Sequence, residues 1–205
     1  MSLLFLIVGV GAYVLTTQAG VKSVITYDIK YNSDVIGQKI KVNNKNWNYS
    51  EETSYFDAQS LVTTVHTGIC IVNDGYYKVN HASGKLRYQS KCEPTYITQA
   101  QAESSPDYVN TTTFLGYTVV VTTNDYITVY YSPALQDVLK YDLGNGKVIE
   151  ATSVTTSGVP TVVLPAYSVE SYNEYKEILL MQLQESIITQ AEYDQLYNEI
   201  PAQFR

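Results

Sequence analysis

Between Phe114 and Val154 the chain alternates strand-like runs with turn residues, and this spacing constrains the fold more than any other feature. Leu115–Thr122 and Tyr126–Tyr131 flank Thr123-Asn124-Asp125, and Val138–Leu143 and Lys147–Val154 flank Gly144-Asn145-Gly146. Gly and Asn tolerate the positive φ of tight hairpin turns. The runs are rich in Val, Ile, Thr and Tyr, which suit a pleated, half-buried surface. The pattern predicts a four-stranded antiparallel meander.

The same reading extends toward the N-terminus. Val21–Tyr31 alternates, with Ile25, Tyr27, Ile29 and Tyr31 on one parity and Val24, Thr26, Asp28 and Lys30 on the other. After Asn32-Ser33-Asp34, Val35–Val42 resumes with Ile36, Ile40 and Val42 opposite in parity to Lys39 and Lys41. Asn43–Asn48 reads as a turn, Glu51, Glu52 and Asp57 as a solvated polar loop, and Ser60–Val72 as a strand. Asn73-Asp74-Gly75 is a turn signal before the short strands Tyr76–Asn80 and Lys85–Gln89. Thr98-Gln99-Ala100-Gln101 has capping-box spacing for one helical turn, and Ser104-Ser105-Pro106 reads as loop.

After a Pro- and Val-rich connector the period changes. Ser171-x-x-Glu174 is a capping box opening a helix to about Glu185, with Ile178, Leu179 and Leu183 at helical spacing. Thr189-Gln190-Ala191-Glu192 opens a second helix carrying Tyr193, Leu196 and Ile200, which Pro201 ends. The expected class is mainly β (α+β): a curved antiparallel sheet or sandwich, with an N-terminal apolar helix and a C-terminal two-helix appendage. The expected divisions are 1–20, 21–165 and 166–205.

Residues Leu3 to Leu15 carry no charge. As a helix they span about 20 Å, short of a hydrocarbon core of about 30 Å, and extension to Ala19 makes a marginal span. Three readings stand: a cleaved signal peptide, a retained membrane anchor, or a helix buried between identical subunits. No Lys or Arg precedes the apolar run and no Ala-x-Ala site follows it, which favours the last two.

Composition narrows function. The charged fraction of 16% is low, and the 20 tyrosines far exceed the 4 phenylalanines and single tryptophan. Tyrosine suits interfaces and half-wet sheets alike. A net charge of −7 with dispersed Lys and Arg argues against nucleic-acid binding. Cys70 and Cys92 read as one disulfide or two buried thiols, and the exterior cues favour the disulfide, worth roughly 3 kcal/mol. Asn48-Tyr49-Ser50 and Asn110-Thr111-Thr112 fit the N-glycosylation pattern, making Asn48 and Asn110 candidate acceptors. His66 and His81 offer no ligand spacing, and each reads as a sheet-surface or turn residue. No nucleophile elbow, phosphate loop, zincin helix or dinucleotide turn is present. The reading is of no enzyme, metal or cofactor.

Three resemblances follow from these residues. Tyr130-Tyr131-Ser132-Pro133, Leu139-Lys140-Tyr141 and Gly146-Lys147-Val148-Ile149-Glu150 resemble the half-barrel of lipoprotein-carrier proteins, which implies a curved sheet sheltering an apolar ligand; no cysteine lies near the N-terminus. Ile187-Ile188-Thr189, Glu192-Tyr193 and Leu196 resemble short C-terminal two-helix oligomerisation modules, with Ser186 where those have a turn glycine. That likeness implies self-association or docking through Leu179, Leu183, Tyr193 and Leu196, against packing of the pair on its own sheet. Low charge, abundant Tyr and Thr and the apolar N-terminus together resemble surface and virion proteins of archaea from hot acidic environments. Two functional expectations result. The favoured one is a structural subunit of an extracellular assembly, a virion, tail or surface filament, self-associating as a homo-oligomer and contacting membrane lipid through residues 1–20. The alternative is an exported β-sheet carrier of a lipid or other apolar ligand.

Overall fold

The computed structural model describes residues 19–93, 96–170 and 174–200. The apolar helix expected over residues 1–20 lies outside them but for its last two residues, as does Ser171 of the expected capping box. Among the described residues the protein is mainly β, with twelve strands in one sheet and three short helices. In chain order the strands are β1 (Ser23–Tyr31), β2 (Asp34–Asn43), β3 (Tyr49–Phe56), β4 (Val62–Ile71), β5 (Gly75–Asn80), β6 (Lys85–Ser90), β7 (Tyr108–Phe114), β8 (Tyr117–Thr123), β9 (Thr128–Ser132), β10 (Asp137–Asp142), β11 (Lys147–Thr155) and β12 (Ser168–Val169). Their order across the sheet is β12-β6-β5-β4-β3-β2-β1-β11-β10-β9-β8-β7. All neighbours are antiparallel except β12 and β6.

The expected meander is present as β8 to β11, with shifted ends. Leu115 belongs to a turn, not a strand: Leu115 and Gly116 have φ of 50° and 80°, the two-residue geometry that closes a right-twisted hairpin. Tyr126 likewise sits in the turn before β9, where the Asn124 side chain accepts from the Tyr126 and Ile127 amides. The residues before the Leu115-Gly116 turn form β7, a Thr-rich strand with no apolar alternation to announce it. β3 was also unexpected. Its sequence YSEETSYF reads as polar loop, yet it pairs along its length with β2 and β4.

Apolar residues change face across the sheet, giving two cores. Ile25 and Tyr27 of β1 pack with Ala151 of β11, Leu139 of β10, Val119 of β8 and Leu135. That face carries Lys39 and Lys41 on β2, because Ile25 pairs with Lys41 and Tyr27 with Lys39. On β4, β5 and β6 the apolar residues are on the opposite face: Ile69, Tyr77, Val79, Leu86 and Tyr88 form the second core. Helices α2 (Glu174–Gln184) and α3 (Gln190–Glu199) cover this second core with Leu179 and Ile200. Helix α1 (Gln99–Glu103) has the expected capping box, Thr98 to Gln101, and α3 has its own, Thr189 to Glu192. Ser186 ends α2 at φ 57°, and Ile187 N–H reaches the Gln182 carbonyl, the six-to-one bond of a helix end usually closed by glycine.

The sheet is strongly curved. β2 and β10 stand three strand spacings apart, about 14 Å if flat. Even so, Lys41 Nζ lies 2.8 Å from an Asp137 carboxylate oxygen. Tyr27 Oη also donates across β11 to the Val138 carbonyl at 2.9 Å. Among the described residues, no helix is long and apolar enough to cross a membrane.

Candidate functional site: the concave trough of β3 to β6

The face that carries the apolar core at β1 and β11 turns polar at β2. Pairing places Lys41, Glu51, Gly68 and Lys78 in one row across β2 to β5, with Arg87 continuing it on β6. The neighbouring row holds Lys39, Thr53 and His66. Covered by no helix among the described residues, this surface forms an open trough of about 790 Å³ lined by Glu51, Thr53, His66, Tyr76, Lys78, Lys85 and Arg87 among others. Cleft volumes of this order hold drug-sized ligands. Ala82 is among the residues that border the trough, and long cationic side chains present methylene stems while their heads stay wet.

One end of the trough is closed by a charged bridge. Lys39 Nζ contacts Glu51 at 2.5 Å, and Tyr76 Oη donates to the other Glu51 oxygen at 2.8 Å. Tyr76 reaches Glu51 by lying over Gly68: a Cβ on Gly68 would sit 2.1 Å from Tyr76 Oη. Burial pushes the Glu51 carboxyl up, but the Lys39 ammonium and the Lys39 and Tyr76 hydrogen bonds outweigh it and hold it below the ordinary range. Burial, and then the Glu51 charge, push the Tyr76 phenol well up.

Beyond the bridge, Asp137 is nearly sealed from solvent and takes three donors: Lys41, Asn43 Nδ2 at 2.9 Å and the Val138 amide at 2.8 Å. Lys41 also lies 4.7 Å from the Tyr49 ring centroid. Burial acts to lower the Lys41 pKa, yet the Asp137 charge, with Tyr141 beside it, holds it above the usual lysine value. A smaller cavity of about 170 Å³ adjoins this pair, lined by Lys41, Tyr49, Trp47, Leu135 and Gln136 among others.

Cations gather at the far end of the trough. Lys78 and Arg87 are direct cross-strand partners, and Lys85 precedes Arg87 by two residues on the same face. Glu170 meets Arg87 at 2.6 Å. Like charges set opposite each other on a sheet are unfavourable, and the Glu170 carboxylate on Arg87 offsets that here. His66 and His81, expected at a sheet surface and a turn, both line the trough.

The residues singled out in the sequence fall elsewhere. Cys70 and Cys92 form a disulfide with Cα atoms 5.6 Å apart, tying β4 to the segment after β6. Asn48 is buried and its Oδ1 accepts from the Val72 amide; Asn110 is exposed on β7. Leu179 is 2% exposed against its own sheet, Tyr193 and Leu196 pack around it, and Leu183 is half-buried. Glu51, read as solvated loop, is instead a half-buried bridge residue. The trough residues were missed because sheet register, not sequence proximity, assembles them. The available signal was the cation pairs at i, i+2, Lys39/Lys41 and Lys85/Arg87. Among the described residues, no three His, Cys, Asp or Glu side chains form a metal-binding group.

No protein-family profile matches the chain, and no curated protein matches it. Among solved structures, an outer membrane lipoprotein-sorting protein domain from Vibrio parahaemolyticus is similar at 12% identity and a TM-score of 0.30, over 68% of this chain and 87% of that chain. At that distance, function has to be read from this chain's own side chains.

Proposed function

We propose that this protein is a non-enzymatic, exported carrier that holds an amphipathic, anionic ligand in the trough of β3 to β6. The observation that carries the reading is the open trough of about 790 Å³, whose far end holds Lys78, Lys85 and Arg87. The first core lies farther along the same face, at β1 and β8 to β11, and the second on the other face of β4 to β6. The acyl part of a ligand lies along the methylene stems of the cationic side chains and Ala82. Its anionic head meets the cations, and the Lys39–Glu51–Tyr76 bridge stops the chain from running on toward Asp137. The Cys70–Cys92 disulfide supports an oxidising, exterior location.

The test is calorimetric titration of the full chain with oleate and with uncharged monoolein of equal chain length. Oleate is expected to bind with a Kd on the order of micromolar and monoolein at least tenfold more weakly. Lys78→Glu with Lys85→Glu is expected to abolish the difference. Equal binding of both probes, or binding of neither, refutes the reading.

A further inference from the structure

The two edges of the sheet are unlike. At one edge stands β12, only two residues long and parallel to its neighbour. At the other stands β7, seven residues, YVNTTTF, with no charge and no proline. Natural sheets blunt their edges with short strands, charges, prolines or bulges. β12 follows that rule. β7 carries one bulge, at Val109, and the five residues from Asn110 to Phe114 run on without one.

Register shows which groups face outward. The two-residue turn at Leu115-Gly116 makes Phe114 and Tyr117 a hydrogen-bonded pair, so Thr112 opposite Val119 is the next such pair. The N–H and C=O groups of Thr111 and Thr113 therefore point away from β8. Among the described residues, no strand, turn or loop hydrogen-bonds to them.

We infer that the β7 edge pairs with β7 of a second copy of this chain, antiparallel about a two-fold axis at Thr112. About that axis Thr111 of one copy faces Thr113 of the other, twice, giving four backbone hydrogen bonds. Asn110 faces Phe114, and Thr112 faces its own copy. No like charges oppose each other, which matters for a chain of net charge −7. An isologous pairing of this kind closes on itself and exposes no further edge from β7. The opposite end of the sheet, with the trough, stays free in the dimer, so this interface and the carrier reading stand or fall separately.

The experiment uses the full chain in a mild non-ionic detergent, so that the apolar run Leu3 to Leu15 does not itself drive association. Sedimentation equilibrium across a broad concentration range is expected to show a dimer. Thr113→Pro removes an outward N–H and leaves the β7–β8 ladder intact, so it should raise the dimer Kd by at least about tenfold while the circular dichroism spectrum is retained. Independently of that variant, Thr112→Cys should form an interchain disulfide under mild oxidation much faster than Thr118→Cys, an exposed position on β8. A monomer at every concentration overturns the inference. So does an oligomer that survives Thr113→Pro and cross-links no faster at position 112 than at 118.

Discussion

Replacing Lys41 by Met tests whether the curvature of the sheet depends on the Lys41–Asp137 tie. Asp137 is 6% exposed, and the substitution leaves its charge buried. Removing one partner of a buried pair costs roughly 3–5 kcal/mol. Here Asn43 and the Val138 amide still donate to the carboxylate, which places the expected loss near the lower figure, about 3 kcal/mol. For a chain of this length that lowers Tm by roughly 6–12 °C. Asp137→Asn should cost less, about 1–2 kcal/mol, because Lys41 keeps partial solvent and the Tyr49 ring. The double variant Lys41→Met/Asp137→Leu should return to within about 1 kcal/mol of the native chain, since an apolar pair carries no desolvation cost. Urea denaturation of all four proteins reads these differences. The pH dependence adds a sign. The Lys41 pKa is raised on folding, so the pair stabilises fully below about pH 10.4, the unfolded lysine value, and the gain is lost as pH rises through the higher folded value. The native chain should therefore lose stability relative to the double variant above about pH 10.4. A loss below 1 kcal/mol for Lys41→Met, with no alkaline difference, would refute the buried-tie argument.

Three further outcomes follow from the same geometry. Gly68→Ala should displace the Tyr76 ring and break its bond to Glu51, costing roughly 2–3 kcal/mol; Tyr76→Phe, which keeps the ring in place, should cost less, and equal losses in urea titrations would show that Gly68 is not a packing constraint. Reduction of Cys70–Cys92 should lower stability by about 3 kcal/mol, read as a shift of the denaturation midpoint with and without reductant; an unchanged midpoint contradicts a structural bridge. Glu51 and Glu150 have pKa values lowered on folding, Glu51 against burial by Lys39 and Tyr76 and Glu150 chiefly by the Lys30 hydrogen bond. Their stabilisation is present above the unfolded carboxylate value near 4.3 and is lost as pH falls through the lower folded values. Thermal scans should show Tm falling below about pH 4.3, with a shallower fall in Glu51→Gln; an identical acid slope in the variant would sink the assignment.

Hairpins that announce themselves by glycine and asparagine were legible at once. Gly144 and Gly146 adopt φ of 69° and 81°, and the strands they join are where the spacing placed them. The alternation of β1 was legible too, because its inward Ile25, Tyr27 and Ile29 all go to a core. β3 and β7 were not, for a shared physical reason. A strand is recognised by apolar alternation only when one of its faces is buried by apolar neighbours. β3 presents Glu51 and Thr53 on its concave side, opposite Lys41 and Lys39 of β2, and β7 lies at an edge. Both are held by backbone pairing with neighbours that carry the apolar signal for them.

The candidate site was illegible for a related reason. Its chemistry lies where the apolar faces change sides, between a core above β1 and a core below β5. A polar concave surface arises there because neither core claims it. No contiguous motif can encode such a surface: Lys39, Glu51 and Tyr76 meet only after three separate registers are set. What the sequence does hold is the set of exceptions that make it possible, a glycine at position 68 where any side chain would block Tyr76, and lysines at 39 and 41 on the parity that buries isoleucine and tyrosine one strand away. Exceptions of this kind, residues that break the pattern of the neighbouring strand without weakening the fold, are where a binding surface is to be sought in a sheet that otherwise reads as scaffold.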